Sequence, residues 1–156
     1  MSARAYSLLA AEKTLIARFL DLLRQEQALL VSGEADSLRA VGQAKLDLVD
    51  QLNRAEAARL DFLSIEKTAS RKQPTMTDWL KLLPAESPLR EQWSDILELA
   101  REAKRLHILN GELINSHLAR TSEAIAILTQ RQKNEALYGS NGQTETGTGS
   151  RIVDSA

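Results

Sequence analysis

Residues 8–30 read LLAAEKTLIARFLDLLRQEQALL. Leu8, Leu15, Leu22 and Leu29 recur every seven residues. Leu9, Ile16, Leu23 and Leu30 do so one position on, with Phe19 between the rows. Seven residues are close to two helical turns, so both rows fall on one wide apolar face of an α-helix. The spacing predicts a helix over residues 3–31, with Gly33 as the residue that stops it.

Working outward, Asp36 is placed to cap a second helix. Its apolar positions are Leu38, Val41, Leu48, Leu52, Ala55 and Phe62, and it is expected to fade near Ser70 (residues 36–69). All three prolines fall between residues 74 and 88, which puts one irregular connector between two proline-free blocks. Within the connector, Thr77 can cap a short turn through Trp79, Leu80, Leu82 and Leu83, ended by Pro84. Ser87-Pro88 has the form of an N-cap and first residue of a third long helix. The stripe expected to pack runs Leu89, Trp93, Ile96, Ala100, Ala103, His107, Asn110, Ile114, His117, Thr121, Ala124 and Leu128. Unbroken to residue 136 this helix would be roughly 70 Å long, and Asn110-Gly111 is its weakest interior point. From Gly139 the composition turns to Gly, Thr, Ser, Asn and Gln. The expectation is a helical domain over residues 1–138 and a disordered tail over 139–156. Ile152-Val153 is the tail's one apolar pair.

Composition agrees with an all-α chain: an antiparallel helical hairpin plus a long third helix, an elongated three-helix bundle. Leu (26 residues) and Ala (21 residues) make up nearly a third of the 156, and aromatics are 4%. Twenty Lys and Arg against 21 Asp and Glu leave a net charge of −1, without the basic excess of a nucleic-acid binder. The absence of cysteine excludes disulfides, thiolate metal sites and cysteine nucleophiles. No signal peptide is expected, because Glu12-Lys13 interrupts the first apolar stretch, and no apolar run is long enough to span a membrane. These features point to a soluble cytosolic protein.

The two apolar seams of the hairpin contain charges. Glu12 and Glu26 are two heptads apart on the first helix, and Lys45 and Arg59 are two heptads apart on the second. Facing residues of an antiparallel pair have numbers with a constant sum. A sum of 71 sets Glu26 against Lys45 and Glu12 against Arg59, and sets Phe19 against Leu52, Leu23 against Leu48, Leu30 against Val41, and Leu9 against Phe62. A slip of one heptad would set charges against leucines. The other reading of these four charges is solvated edge positions whose stems lie on the core.

An enzyme reading has little support. The seven glycines form no phosphate loop, four of them lying in the tail. His107 and His117 are ten apart, too far for two ligands of one metal, and even with Glu112 nearby a di-metal bundle is not favoured. No catalytic residue, metal or cofactor is expected. The third helix is more informative. His107, Asn110, His117 and Thr121 stand where a pure bundle would carry Leu or Ala. Beside them Leu99, Leu106, Leu109, Leu113, Leu118 and Ile125 widen the apolar surface beyond one stripe. One use of such a surface is homodimerisation or simple core packing, in a homo-oligomeric coiled-coil adaptor. The other is a groove for a partner helix, with Asn and His supplying hydrogen bonds among apolar anchors. The residues expected to bind are Leu106, Leu109, Asn110, Leu113, Ile114, His117 and Leu118.

Several features in order resemble the FlgN family of flagellar export chaperones: Glu26 with Leu29-Leu30, a Gly33-Glu34-Ala35-Asp36 turn, Leu38, Lys45, Leu48, Leu52 and Arg59. Later come Asn110-Gly111-Glu112-Leu113-Ile114, Leu137-Tyr138-Gly139 and Asn141-Gly142-Gln143. The resemblance implies an all-helical cytosolic protein that binds C-terminal helical segments of the hook-associated proteins FlgK and FlgL. It would keep them unassembled and deliver them to the flagellar type III export apparatus. By position, Asn110 and Leu118 would be client contacts. The family's further Asn, three residues before its Asn-Gly, is His107 here. Tyr138 matches a tyrosine that helps dock on the cytoplasmic domain of the export gate.

Overall fold

The computed structural model describes residues 2–66 and 74–138. Four helices follow one another: α1 (Ser2–Ser32), α2 (Ala35–Ile65), α3 (Met76–Lys81) and α4 (Pro88–Tyr138). They divide into two units, Met1–Ile114 and Asn115–Ala156. The second helix ends at Ile65 with Glu66 as its C-cap, short of the expected end near residue 69, and the expected tail over 139–156 lies outside the described residues. No described helix is long and apolar enough to cross a membrane.

In the first unit α1 is the central helix. Its buried positions are Ala5, Leu9, Glu12, Ile16, Leu20, Leu23, Glu26 and Leu30, while Leu8, Leu15, Leu22 and Leu29 are half-buried. Both leucine rows are used because α1 has a neighbour on two sides, α2 and α4. Ser32 is its last residue and Gly33 takes φ 77°, the left-handed conformation that ends a helix. The amides of Gly33 and Glu34 both donate to the Leu29 carbonyl, at 2.9 and 3.2 Å. A Cβ on Gly33 would meet nothing within 4 Å, so the demand there is on the backbone alone. Gly33→Ala is therefore expected to cost about 1 kcal/mol from the left-handed penalty, read as a lower urea midpoint, and Gly33→Asn distinctly less.

The N-cap of α2 is Glu34, with no side-chain cap, and not Asp36. Asp36 lies inside the first turn, where its carboxylate faces the positive end of the helix. A second correction concerns α3. Its cap is Thr75, not Thr77: the Thr75 hydroxyl accepts from the Asp78 amide at 3.2 Å and the Asp78 carboxylate accepts from the Thr75 amide at 3.4 Å. The reciprocal pair needs an acceptor three residues on. Thr75 has Asp78 there, whereas Thr77 has Leu80. The Thr75 hydroxyl and amide hold the Asp78 carboxyl below its ordinary value. A depressed carboxylate stabilises the fold above its unfolded pKa, near 4, and loses that contribution as pH falls through its lower folded value. In Thr75→Val the Asp78 titration, followed by NMR, should move back up towards the ordinary range.

Four elements meet at one end of the unit. Ala5, Leu9 and Ile16 of α1, Phe62 and Leu63 of α2, Met76, Trp79 and Leu80 of α3, and Leu89 and Ile96 of α4 form one buried cluster. The Phe62 and Trp79 rings pack edge to face, with centroids 5.2 Å apart. Arg90 ties the connector down by donating to the Leu83 carbonyl at 2.7 Å. Further along, a smaller cluster joins only two helices: Leu20 and Leu23 of α1 with Ala103 and Leu106 of α4. Lys13 of α1 and Asp95 of α4 pair at 2.7 Å beside it, and that contact raises the Lys13 pKa.

The buried row of α4 is Leu89, Gln92, Ile96, Ala103, Leu106 and Asn110, with Leu99 half-buried. The expected stripe shares Leu89, Ile96, Ala103 and Asn110 with it but continues through Ala100, His107 and Ile114, which are exposed. Leu99 and Leu106, read from the sequence as surplus surface, are what α1 covers. The helix continues without a break through Asn110-Gly111, because Asn110 is anchored to α1 there.

In the second unit, the described part is the end of α4. Every described residue from Leu118 to Tyr138 is exposed.

Candidate functional site

Two polar bridges cross the first unit, and both start from a glutamate on α1. Lys45 of α2 donates to both carboxylate oxygens of Glu26 at 3.0 Å, and Arg59 of α2 donates from Nε to Glu12 at 2.9 Å. The pairs join positions whose numbers sum to 71. Their side chains are largely buried, 9% and 16% exposed for Glu26 and Lys45, which places them inside the seam and not at solvated edges. Each bridge extends to α4. Asn110 donates from Nδ2 to Glu26 Oε1 and to the Leu23 carbonyl, both at 2.9 Å. The Arg59 guanidinium stacks over the Trp93 ring, 4.8 Å from its centroid.

Between these bridges α2 and α4 leave a groove of about 560 Å³ above α1. Glu12, Ile16 and Phe19 form its floor. Val49, Leu52, Asn53, Glu56 and Arg59 line it from α2, and Ala100, Ala103, Lys104 and His107 from α4. The groove exists because α4 shows alanines on this side while its leucines turn to α1. Glu56 of α2 and Lys104 of α4 are lining residues that bring charge from the two sides, with His107 also on the α4 side. Half of the lining residues are apolar and half are polar or charged. Among the described residues no three His, Asp or Glu side chains are placed to hold a metal.

The second unit carries an uncovered apolar row. Leu118, Thr121, Ile125 and Leu128 follow one another at steps of four or three, which puts them on one helical face. Leu118 is 61% exposed, Ile125 59% and Leu128 57%.

The expected binding residues separate into groups. Leu106 and Asn110 are buried, Asn110 being 1% exposed, so they hold α4 on α1 and are not presented at the surface. Leu109, Leu113 and His117 are half-buried, while Ile114 and Leu118 are exposed. Tyr138, at the last described turn, is exposed. The groove residues Val49, Leu52 and Ala100 were not read as a site. Ala100 stood in the expected packing stripe, and two helices on either side of a third give no signal in sequence that they stay apart.

A family model described as "FlgN protein" matches residues 1–146. The chain is 31% identical over 140 residues to the flagella synthesis protein FlgN of Yersinia enterocolitica, covering 88% of this chain and 82% of that one. It is 29% identical over 129 residues to the flagella synthesis protein FlgN of Proteus mirabilis, covering 80% and 78% respectively. No solved structure matches the chain significantly.

Proposed function

The chain belongs to the FlgN family, a non-enzymatic family of flagellar chaperones, and from that membership we propose that it binds the C-terminal helical segments of FlgK- and FlgL-type hook-associated proteins. It keeps them unassembled in the cytoplasm and passes them to the cytoplasmic domain of the export gate. The observation that carries this reading is the uncovered row Leu118, Ile125 and Leu128 on an ordered helix. A helix that needed these side chains for its own fold would bury them. Exposed at regular helical spacing, they suit an amphipathic partner helix laid alongside. Flanking residues here are short and polar, Ser122 and Thr129 on one side, which permits close approach. Within the second unit His117 adjoins this row, and within the first unit Leu109, Leu113 and Ile114 are further candidate anchors on α4, while Leu106 and Asn110 act indirectly by fixing that helix on α1. The exposed ring of Tyr138 serves docking at the gate.

Burying ~800 Å² of mostly apolar surface at ~25 cal/mol/Å² gives about 20 kcal/mol gross. Ordering a flexible client and losing its freedom of motion consumes most of that. A reversible complex remains, as a protein that must release its client requires. Release by exchange at the gate needs no nucleotide.

Purified chain and a FlgK-type C-terminal segment are expected to form a complex by titration calorimetry. Leu118→Asp with Ile125→Asp should weaken it at least ~100-fold, since two truncated anchors at a helix interface each cost ~2 kcal/mol or more. Unchanged affinity in that variant would remove the row from the mechanism. Tyr138→Ala should leave client affinity as it is and lower binding to the gate domain.

A further inference from the structure

We propose that Asn110-Gly111 is a deamidation site guarded by the fold, and that its conversion releases α4 from α1. Asparagine before glycine is open to this chemistry, because no Cβ hinders the glycine nitrogen and the glycine backbone reaches conformations closed to other residues. The Gly111 amide nitrogen loses its proton to hydroxide and attacks Asn110 Cγ. The N–Cγ bond forms, the Cγ–Nδ2 bond breaks, and Nδ2 takes a proton from water and leaves as ammonia. Water then opens the resulting succinimide. Cleavage at Cγ gives aspartate, and cleavage at the Asn110 main-chain carbonyl gives isoaspartate, whose backbone runs through Cβ. Water is the co-reactant, hydroxide is regenerated, and nothing is oxidised or reduced.

The folded chain holds the pair shut. Both residues lie inside α4, where the Gly111 N–H belongs to the helical ladder and helical φ and ψ keep its nitrogen off Cγ. Asn110 is 1% exposed. Its Nδ2, the leaving nitrogen, donates to the Leu23 carbonyl and to Glu26 Oε1, both at 2.9 Å. Attack waits until this stretch of α4 lifts from α1 and gives up a helical turn. That opening is local: beneath Asn110 lies the small cluster of Leu20, Leu23, Ala103 and Leu106, and not the larger one that joins four elements.

The product does not fit back. An oxygen in place of Nδ2 meets two acceptors, the Leu23 carbonyl and Glu26 Oε1, where a donor stood. Lys45 is one positive charge between two carboxylates. Oδ1 is already buried without a hydrogen-bond partner among the described residues, so the second oxygen finds no donor either. The isoaspartyl product also adds a backbone methylene inside α4 and interrupts its ladder. Conversion is irreversible, so the chain accumulates a record of the time α4 spends off α1.

The test ages the full chain alone in mildly alkaline buffer, and its outcome does not depend on what the client is. Peptide mapping follows the amide-to-acid mass change at Asn110 separately from the second Asn-Gly pair, Asn141-Gly142. Asn110 should convert at least ~30-fold more slowly in buffer than in concentrated urea, the ratio reporting the population of the open state. Leu106→Ala, which leaves a cavity under α4, should speed conversion in buffer ~10-fold or more and leave the rate in urea unchanged. Gly111→Ala, whose Cβ meets nothing within 4 Å, should fold and slow conversion under both conditions. Hydrogen exchange reads the consequence. Amides of residues 103–113 should exchange at least ~10-fold faster in Asn110→Asp than in Asn110→Leu, which loses the same hydrogen bonds without adding charge, while those near Leu89 and Ile96 stay protected. Should Asn110→Asp not fold, the deamidated fraction of aged wild-type chain takes its place. Equal conversion in buffer and urea, or a Leu106→Ala chain that ages like wild type, overturns the guard. Exchange in the aspartate form no faster than in Asn110→Leu overturns the release.

Discussion

Glu26→Ala is expected to lower the free energy of unfolding by about 3 kcal/mol. Glu26 accepts from Lys45 and from Asn110, so its removal leaves an ammonium group and an amide with little water to replace the lost partner. The loss is mostly the cost of stranding those groups. Replacing all three residues by leucine should therefore recover most of it and bring the urea midpoint back to within about 1 kcal/mol of wild type, because well-packed apolar side chains also spare the desolvation of the charges. The Asn110 Oδ1 atom, buried with no hydrogen-bond partner among the described residues, adds to that saving. What the leucine triad should lose is uniqueness of pairing. With one bridge gone, a slipped register sets fewer charges against leucine, and broader thermal transitions would report the mixture. A triple variant no more stable than Glu26→Ala would mean that the bridge contributes net stability and not mainly register.

Leu23→Ala should cost about 3 kcal/mol and Leu128→Ala less than about 0.5, although both are leucines on long helices. Leu23 is 0% exposed, sits against Ala103 and Leu106 of α4, and its carbonyl accepts from Asn110. Truncating it leaves a cavity at the point where α4 is held. Leu128 is more than half exposed, so its loss changes folded and unfolded states nearly alike. Parallel urea titrations of the two variants measure the difference. A cost at Leu128 comparable with that at Leu23 would show that the row is part of the fold and would leave nothing for a partner.

Much of the hairpin was legible before any coordinates. Leucine rows repeating every seven residues specify helices, and charges of opposite sign at matched two-heptad intervals single out a sum of 71, because both are regularities along one dimension. The capping box at Thr75 was equally local and lay in the Thr-x-x-Asp spacing. Thr77 stands closer to the apolar turn and so competes with Thr75 as the apparent cap.

The role of α4 was less accessible. Its rows Leu99–Leu106–Leu113 and Ala100–His107–Ile114 are one residue, 100°, apart on the helix. Periodicity alone leaves either row free to pack, and deciding between them requires the shape of α1. The same holds for Asn110, whose surroundings depend on Leu23 and Glu26, more than eighty residues earlier. Helix type, hairpin register and the presence of surplus apolar surface thus follow from the order of residues, since each depends on near neighbours or on a repeat. Which surplus stays uncovered, and that α2 and α4 stand apart over α1, depends on side-chain volumes brought together from distant parts of the chain, and only packing resolves it.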